Sequence, residues 1–125
     1  MSELTILNTY RLKGTAADFT AAITALAARV QAEGHRGVMS YQFFVNVAAG
    51  QGRAVVDYEG PEAWIGHHDI SMGWPEMKAL HAVAELVHVI FLGPMTDEIR
   101  LWLVRSGLKA EVETGYVAAA GFRRV

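Results

Sequence analysis

From Leu4 to Leu12 the side chains alternate. Leu4, Ile6, Asn8, Tyr10 and Leu12 share one side, and Thr5, Leu7, Thr9 and Arg11 share the other. That period of two predicts a strand whose strongly apolar face carries a single amide. Lys13-Gly14 turns the chain, and Thr15-x-x-Asp18 opens a helix in the manner of a capping box. Phe19, Ile23, Leu26 and Val30 then recur at helical spacing and predict one buried stripe. Each such side chain contributes roughly 1.5–3 kcal/mol on burial, so this face should dominate the helix's stability. Alanines between them raise helix propensity, and Gly34 is the expected C-cap.

Val38 to Val47 is β-branched and aromatic, Ala48 to Gly52 has the glycines of a hairpin loop, and Arg53 to Tyr58 returns as its partner. Gly60-Pro61 ends that strand and starts a short helix, which Met72-Gly73-Trp74-Pro75 interrupts. A second short helix from Pro75 presents Met77, Leu80, His81 and Ala84 on one face. Leu86 to Leu92 reads as a fourth strand, stopped by Gly93-Pro94. Thr96 with Asp97 and Glu98 caps a further helix, buried through Ile99, Trp102 and Leu103 and ended by Gly107. The tail from Val112 to Val125 offers a last strand, weakened by glycines at 115 and 121.

The order β-α-β-β-α(α)-β is the split βαβ, ferredoxin-like arrangement of an α+β domain, an antiparallel sheet with helices on one face. We expect one domain over residues 1–125, with a core from about 3 to 95 and a C-terminal helix and tail from 96 to 125. The uncovered sheet face would carry Leu7 and one of two alternating sets: Met39, Tyr41, Phe43 and Val45, or Val38, Ser40, Gln42 and Phe44. An apolar face of that kind is most simply covered by a second copy, so a homodimer is expected.

Composition narrows the classes. The 125 residues are 52% hydrophobic and 19% charged, with a net charge of −2 and no cysteine. Disulfides, thiolate metal sites and a cysteine nucleophile are excluded. The near-neutral balance offers no basic stripe for nucleic acid. The N-terminus shows no signal-peptide pattern, and no apolar run approaches the ~20 residues of a membrane span, so a cytoplasmic protein is expected. There is no phosphate-binding glycine loop, no G-x-S-x-G elbow and no paired carboxylates away from helix starts.

The strand LTILNTYRLKG running into TAADF, and VVDYEGPEAWIGHHD followed by MKALHAV, resemble the antibiotic biosynthesis monooxygenase family over about residues 3–95. The slots that carry the resemblance are filled by Tyr58, Ala63, His67 and His81. It implies a ferredoxin-like homodimer whose sheets meet as a dimeric α/β barrel, with a pocket in each subunit between sheet and helices. The activities it implies are metal- and flavin-free oxygenation of aromatic polyketides, quinol oxygenation and haem degradation. Haem-degrading members use a first-strand Asn, a second-helix Trp and a downstream His that ligates iron. Asn8 and His81 match the first and third, whereas His67 holds the Trp slot and Trp64 lies nearly one turn earlier. The connection HHDISMGWP is longer than usual for the family.

His81, on the apolar stripe of its helix, is either a satisfied core histidine or a pocket base. Asn8 either bonds to neighbouring backbone or positions a substrate oxygen. His67 and His68 point about 100° apart on a helix, so one should face the pocket and the other solvent or a dimer contact. With Asp69 they lack any recognised metal-ligand spacing, and no metal site is expected. Tyr10, Trp64, His68 and Trp74 are candidates for the pocket wall, while Trp102 reads as packing. A cofactor-free oxygenase needs a base such as His67 or His81, an orienting amide such as Asn8, and aromatic walls that exclude water. The expected activity is therefore cofactor-independent monooxygenation of a small aromatic or quinone-like compound. Haem binding or degradation, and silent ligand binding by a dimer, are the alternatives.

Overall fold

The computed structural model describes residues 3–124. β1 (Leu4–Leu12) lies at the centre of a five-stranded sheet of order β2-β3-β1-β4-β5. It pairs antiparallel with β3 (Gln51–Tyr58) on one edge and with β4 (Ala84–Leu92) on the other. β2 (Val38–Asn46) is antiparallel to β3, and β5 (Glu111–Tyr116) adds parallel to β4. The tail therefore supplies a last strand, and His88 on β4 meets Glu113 on β5 at 2.7 Å. The sheet is open, as the ferredoxin-like arrangement of one chain requires.

Helices α1 (Ala16–Glu33), α2 (Pro61–Ser71) and α3 (Pro75–Val83) cover one face, and α4 (Asp97–Ser106) packs against α2. The caps follow the local chemistry. Thr15 Oγ1 accepts from the Asp18 amide at 3.0 Å, and Thr96 Oγ1 from the Ile99 amide at 3.2 Å. Gly107 ends α4 in the left-handed conformation, at φ 67°. The buried stripe of α1 is Phe19, Ala22, Leu26 and Val30, so Ala22 takes the place expected for Ile23, which is half-buried.

Phe19 reaches the sheet where β3 presents Gly52. A Cβ there would lie 2.4 Å from the Phe19 ring, so this close approach of helix to strand requires glycine. At the other end of α1, Arg29 pairs with Glu76 at 2.9 Å and lies 4.2 Å over the Trp74 ring, tying α1 to the start of α3.

Two irregularities decide which side chains face the helices. The β2–β3 register shifts between Val38 and Ser40, leaving Met39 without an opposite residue. Val38, Tyr41 and Phe43 consequently all pack on the core, whereas Ser40, Gln42 and Phe44 fall on the open face. Neither strict alternating set describes β2, because the bulge switches one for the other. The β1–β4 register shifts between Thr9 and Tyr10, which brings Leu86 opposite Tyr10.

Truncating Phe19 should open a cavity between α1 and Gly52. Phe19→Ala should cost about 3–5 kcal/mol of unfolding free energy in urea denaturation. A loss below about 1 kcal/mol would mean that the helix–sheet contact is not the anchor described.

Candidate ligand cavity

A cavity of about 440 Å³ opens between the inner face of the sheet and α2, α3 and α4. That volume lies in the range of small-molecule sites. Its sheet wall carries Asn8 and Tyr10 from β1, Tyr41 from β2 and Tyr58 from β3. Asn8 and Tyr10 share a face because they are two residues apart on a strand, and Asn8 Nδ2 reaches Tyr10 Oη over 3.4 Å. Asn8 Oδ1 is sealed from solvent and has no partner. Burial pushes the Tyr10 phenol up to about 12, with Asn8 opposing, and raises Tyr41 and Tyr58 as well. All three hydroxyls therefore stay protonated at neutral pH.

The helix wall is built by His67, His68 and Trp64 of α2, joined by Trp102 of α4. His67 is only 2% exposed, and its Nδ1 has no partner. Its ring meets Tyr41 edge-on at 5.3 Å and lies 5.9 Å from Tyr58. Burial first, then His68 and His35, lower its pKa to about 3. His35 is close because Gly66 leaves room: a Cβ there would stand 2.3 Å from the His35 ring. His68 stacks on Trp64 at 4.0 Å and meets Trp102 at 5.1 Å. Its Nδ1 lies 2.7 Å from the Trp64 carbonyl oxygen, which can only accept, so Nδ1 carries the proton and Nε2 the lone pair. Burial lowers the His68 pKa to about 4, opposed by that hydrogen bond and by Asp69. Trp102 Nε1 donates to Asp69 Oδ1 at 3.1 Å, closing α4 onto α2.

His67 and His68 thus both line one cavity, contrary to the expectation that only one would. The cavity extends from the sheet to α4, so rings 100° apart on α2 border the same space, one against Tyr41 and Tyr58, the other against Trp64 and Trp102. His81 also differs from expectation. It borders the cavity from an exposed position, not from a buried stripe, and its carbonyl accepts from Lys13 Nζ at 3.0 Å. Partial burial and Lys13 lower its pKa.

Asn8, Tyr10, Trp64, His67, His68 and His81 are therefore brought together, and Trp74 is not, because its indole lies under Arg29. Tyr41, Tyr58, Trp102 and the rim lysines Lys13 and Lys109 were not singled out as pocket residues by sequence. Trp102 both packs and lines the cavity. Among the described residues no three His, Asp or Glu side chains form a metal-holding group. Haem fits poorly: the imidazole expected to bind iron is exposed on the rim, and the two interior imidazoles are packed against aromatic rings.

No protein-family model matches the chain, and no curated protein matches it in sequence. Solved structures do match. SnoaB, a cofactor-independent oxygenase from Streptomyces nogalater, superposes with a TM-score of 0.65 at 14% identity, covering 77% of this chain and 96% of its own. MupZ from Pseudomonas fluorescens reaches 0.67 at 16% identity and covers 99% of this chain and 96% of its own. A Caulobacter crescentus protein assigned as an antibiotic biosynthesis monooxygenase reaches 0.64 at 19% identity, over 76% of this chain and 92% of its own. The chain has the ferredoxin-like fold of the antibiotic biosynthesis monooxygenase structures, as the strand and helix motifs suggested. The MupZ match takes in 99% of this chain and so includes α4, which closes the cavity on one side. No helix among the described residues is long and apolar enough to cross a membrane.

Both interior imidazoles have folded-state pKa values, about 3 and about 4, below the ~6.5 of a free histidine. Between those values the unfolded chain binds more protons than the folded one, so stability is full above about pH 6.5 and declines as the pH falls. Wild-type protein should melt well below its neutral-pH temperature at pH 5, and His67→Phe should flatten part of that decline. An equal pH dependence in the two proteins would contradict the buried, neutral state of His67.

Proposed function

We propose that this chain is a cofactor-independent monooxygenase that acts on a small aromatic or quinone-like compound in the cavity between sheet and helices. One observation carries the reading. Asn8 Oδ1 and His67 Nδ1 are sealed and unpartnered among aromatic walls. A buried polar atom left without a partner costs about 1–3 kcal/mol. A flat ligand bearing hydroxyl groups would donate to both once small rotations of these side chains turn the two atoms from the wall toward the cavity, while the Tyr41, Tyr58 and Trp64 rings take its faces and edges. SnoaB's description as a cofactor-independent oxygenase supports the same chemistry on this fold.

In this reading an acidic ring CH₂ or phenol of the substrate gives its proton to the neutral imidazole of His67. The low pKa of that imidazole belongs to the ligand-free cavity, and an anion formed beside it favours the imidazolium. Asn8 holds the adjacent oxygen. The electron-rich carbanion passes electrons to O₂ and combines with it as a hydroperoxide, which loses water to leave a ring carbonyl. A CH₂ and O₂ thus become C=O and H₂O, with every electron supplied by the substrate. The dry aromatic walls keep water from reprotonating the carbanion.

An oxygen electrode with a panel of phenols and naphthohydroquinones tests this. Uptake should be saturable and unaffected by chelators, and one atom of ¹⁸O₂ should enter the product. His67→Ala should lower kcat by about 10²–10⁴-fold, and His67→Phe, which keeps a ring in the buried site, should lose activity to the same extent while still melting within a few degrees of wild type at neutral pH. Saturable binding with no uptake across the panel would favour a silent binder instead.

The chain would work as a homodimer. Val55, Leu7 and Ile90 stand side by side across β3, β1 and β4 on the face that the chain's own helices leave open, and Phe44 beside them is 54% exposed. Sedimentation should give twice the monomer mass, and Val55→Lys should shift it toward monomer. A wild-type monomer at tens of micromolar would contradict the pairing.

A further inference from the structure

The mouth of the cavity is charged in a way that the interior chemistry does not require. The chain holds only three lysines, Lys13, Lys78 and Lys109, and two of them, Lys13 and Lys109, border this opening. They arrive from separate elements: Lys13 directly follows β1, and Lys109 sits in the connection between α4 and β5. Both are exposed, and neither is paired with a carboxylate among the described residues. The one contact of Lys13 Nζ is to a neutral group, the His81 carbonyl. Glu85 is the acidic residue on the rim, and its carboxylate is already joined to Arg11. The opening is therefore a positive rim on a chain whose net charge is −2.

Lys13 has a structural duty, since an ammonium at the end of α3 complements the carbonyls there. Lys109 has none that the contacts disclose. An uncompensated cation beside a largely apolar cavity attracts an anion, and the field is strongest where low-dielectric walls focus it.

We infer that the substrate of this cavity is an aromatic acid: a ring system whose oxygen-bearing part enters between Asn8 and His67 while a carboxylate stays at the mouth between Lys13 and Lys109. This rests on the reading of the cavity as a substrate site, and it adds the substrate's charge and its orientation. The rings would enter first, because the deep walls are aromatic and the ammonium groups lie only at the rim. The carboxylate then remains half in water, which spares it the desolvation that a buried charge suffers.

The test is anaerobic calorimetric titration with two probes that differ by one group, 1,4-dihydroxy-2-naphthoate and 1,4-naphthohydroquinone. Wild-type protein should bind the naphthoate more tightly, with a preference that shrinks as salt rises. Lys109→Gln should weaken naphthoate binding by about fivefold and leave the neutral quinol unchanged, the scale of one partly exposed ion pair. Lys13→Gln should do the same, and the pair together should cost roughly tenfold. Lys78→Gln, away from the opening, should change neither affinity. Equal affinity for the two probes, indifferent to Lys109→Gln, would overturn the acid while leaving the cavity as a site. Binding of neither probe would overturn the cavity as an aromatic site, and the acid with it.

Discussion

β1 hydrogen-bonds along both of its edges, and that pairing leaves its side chains only two places to go. Leu4, Ile6 and Tyr10 must be covered by helices, and Leu7 must face whatever covers the other side. The helices meet this demand unevenly. Phe19 of α1 closes down to the backbone of Gly52, so that end of the sheet is solid. Under α2 and α3 the contact is looser, and Asn8 sits where the core stops being close-packed. The cavity is the part of the β1 face that the helices do not fill, bounded by strand residues on one wall and by α2 and α4 on the other.

That origin explains the chemistry of its walls. Residues raised on a central sheet and on packed helices are removed from water, so their titrations are displaced in the direction of the neutral form. Tyr10, Tyr41 and Tyr58 remain phenols, while His67 and His68 remain uncharged imidazoles at physiological pH. The proposed ligand, flat and oxygenated at one end and anionic at the other, would match this neutral, aromatic interior and its lysine-bearing rim. On the proposed reading, the same interior would give an oxidation by O₂ without a cofactor its orientation, its proton acceptor and its shelter from water.

Most of this fold is legible in the residue pattern, because alternation and helical spacing are direct consequences of one-sided burial. Leu4–Leu12, the Thr15 and Thr96 caps and the Pro61 and Pro75 helix starts all follow from local chemistry. The candidate site was legible where it lies on regular elements, as with Asn8, Tyr10, His67 and Trp64. What could not be read depends on register or on distant contacts. Tyr41 reaches the cavity because β2 slips by one residue at Met39, and a single bulge is invisible to a period of two. His68 shares the cavity with His67 because α4 supplies a second wall, Trp102, which no helix-wheel argument about α2 alone includes. Trp74 looked like part of an aromatic wall, yet Arg29, far away in sequence, claims its face. His81 lies on the expected helix but too near its end, where the chain already turns into β4 and the side chain reaches the mouth.

The central claim is that His67 is a buried, uncharged imidazole facing an aromatic ligand. NMR of the protein with ¹⁵N-labelled histidine measures this directly. The His67 nitrogens should keep the shifts of a neutral ring from pH 8 down to pH 5, and both should move when 1,4-naphthohydroquinone is added without oxygen. A His67 that titrates near the ~6.5 of a free histidine, with shifts indifferent to the quinol, would contradict the account.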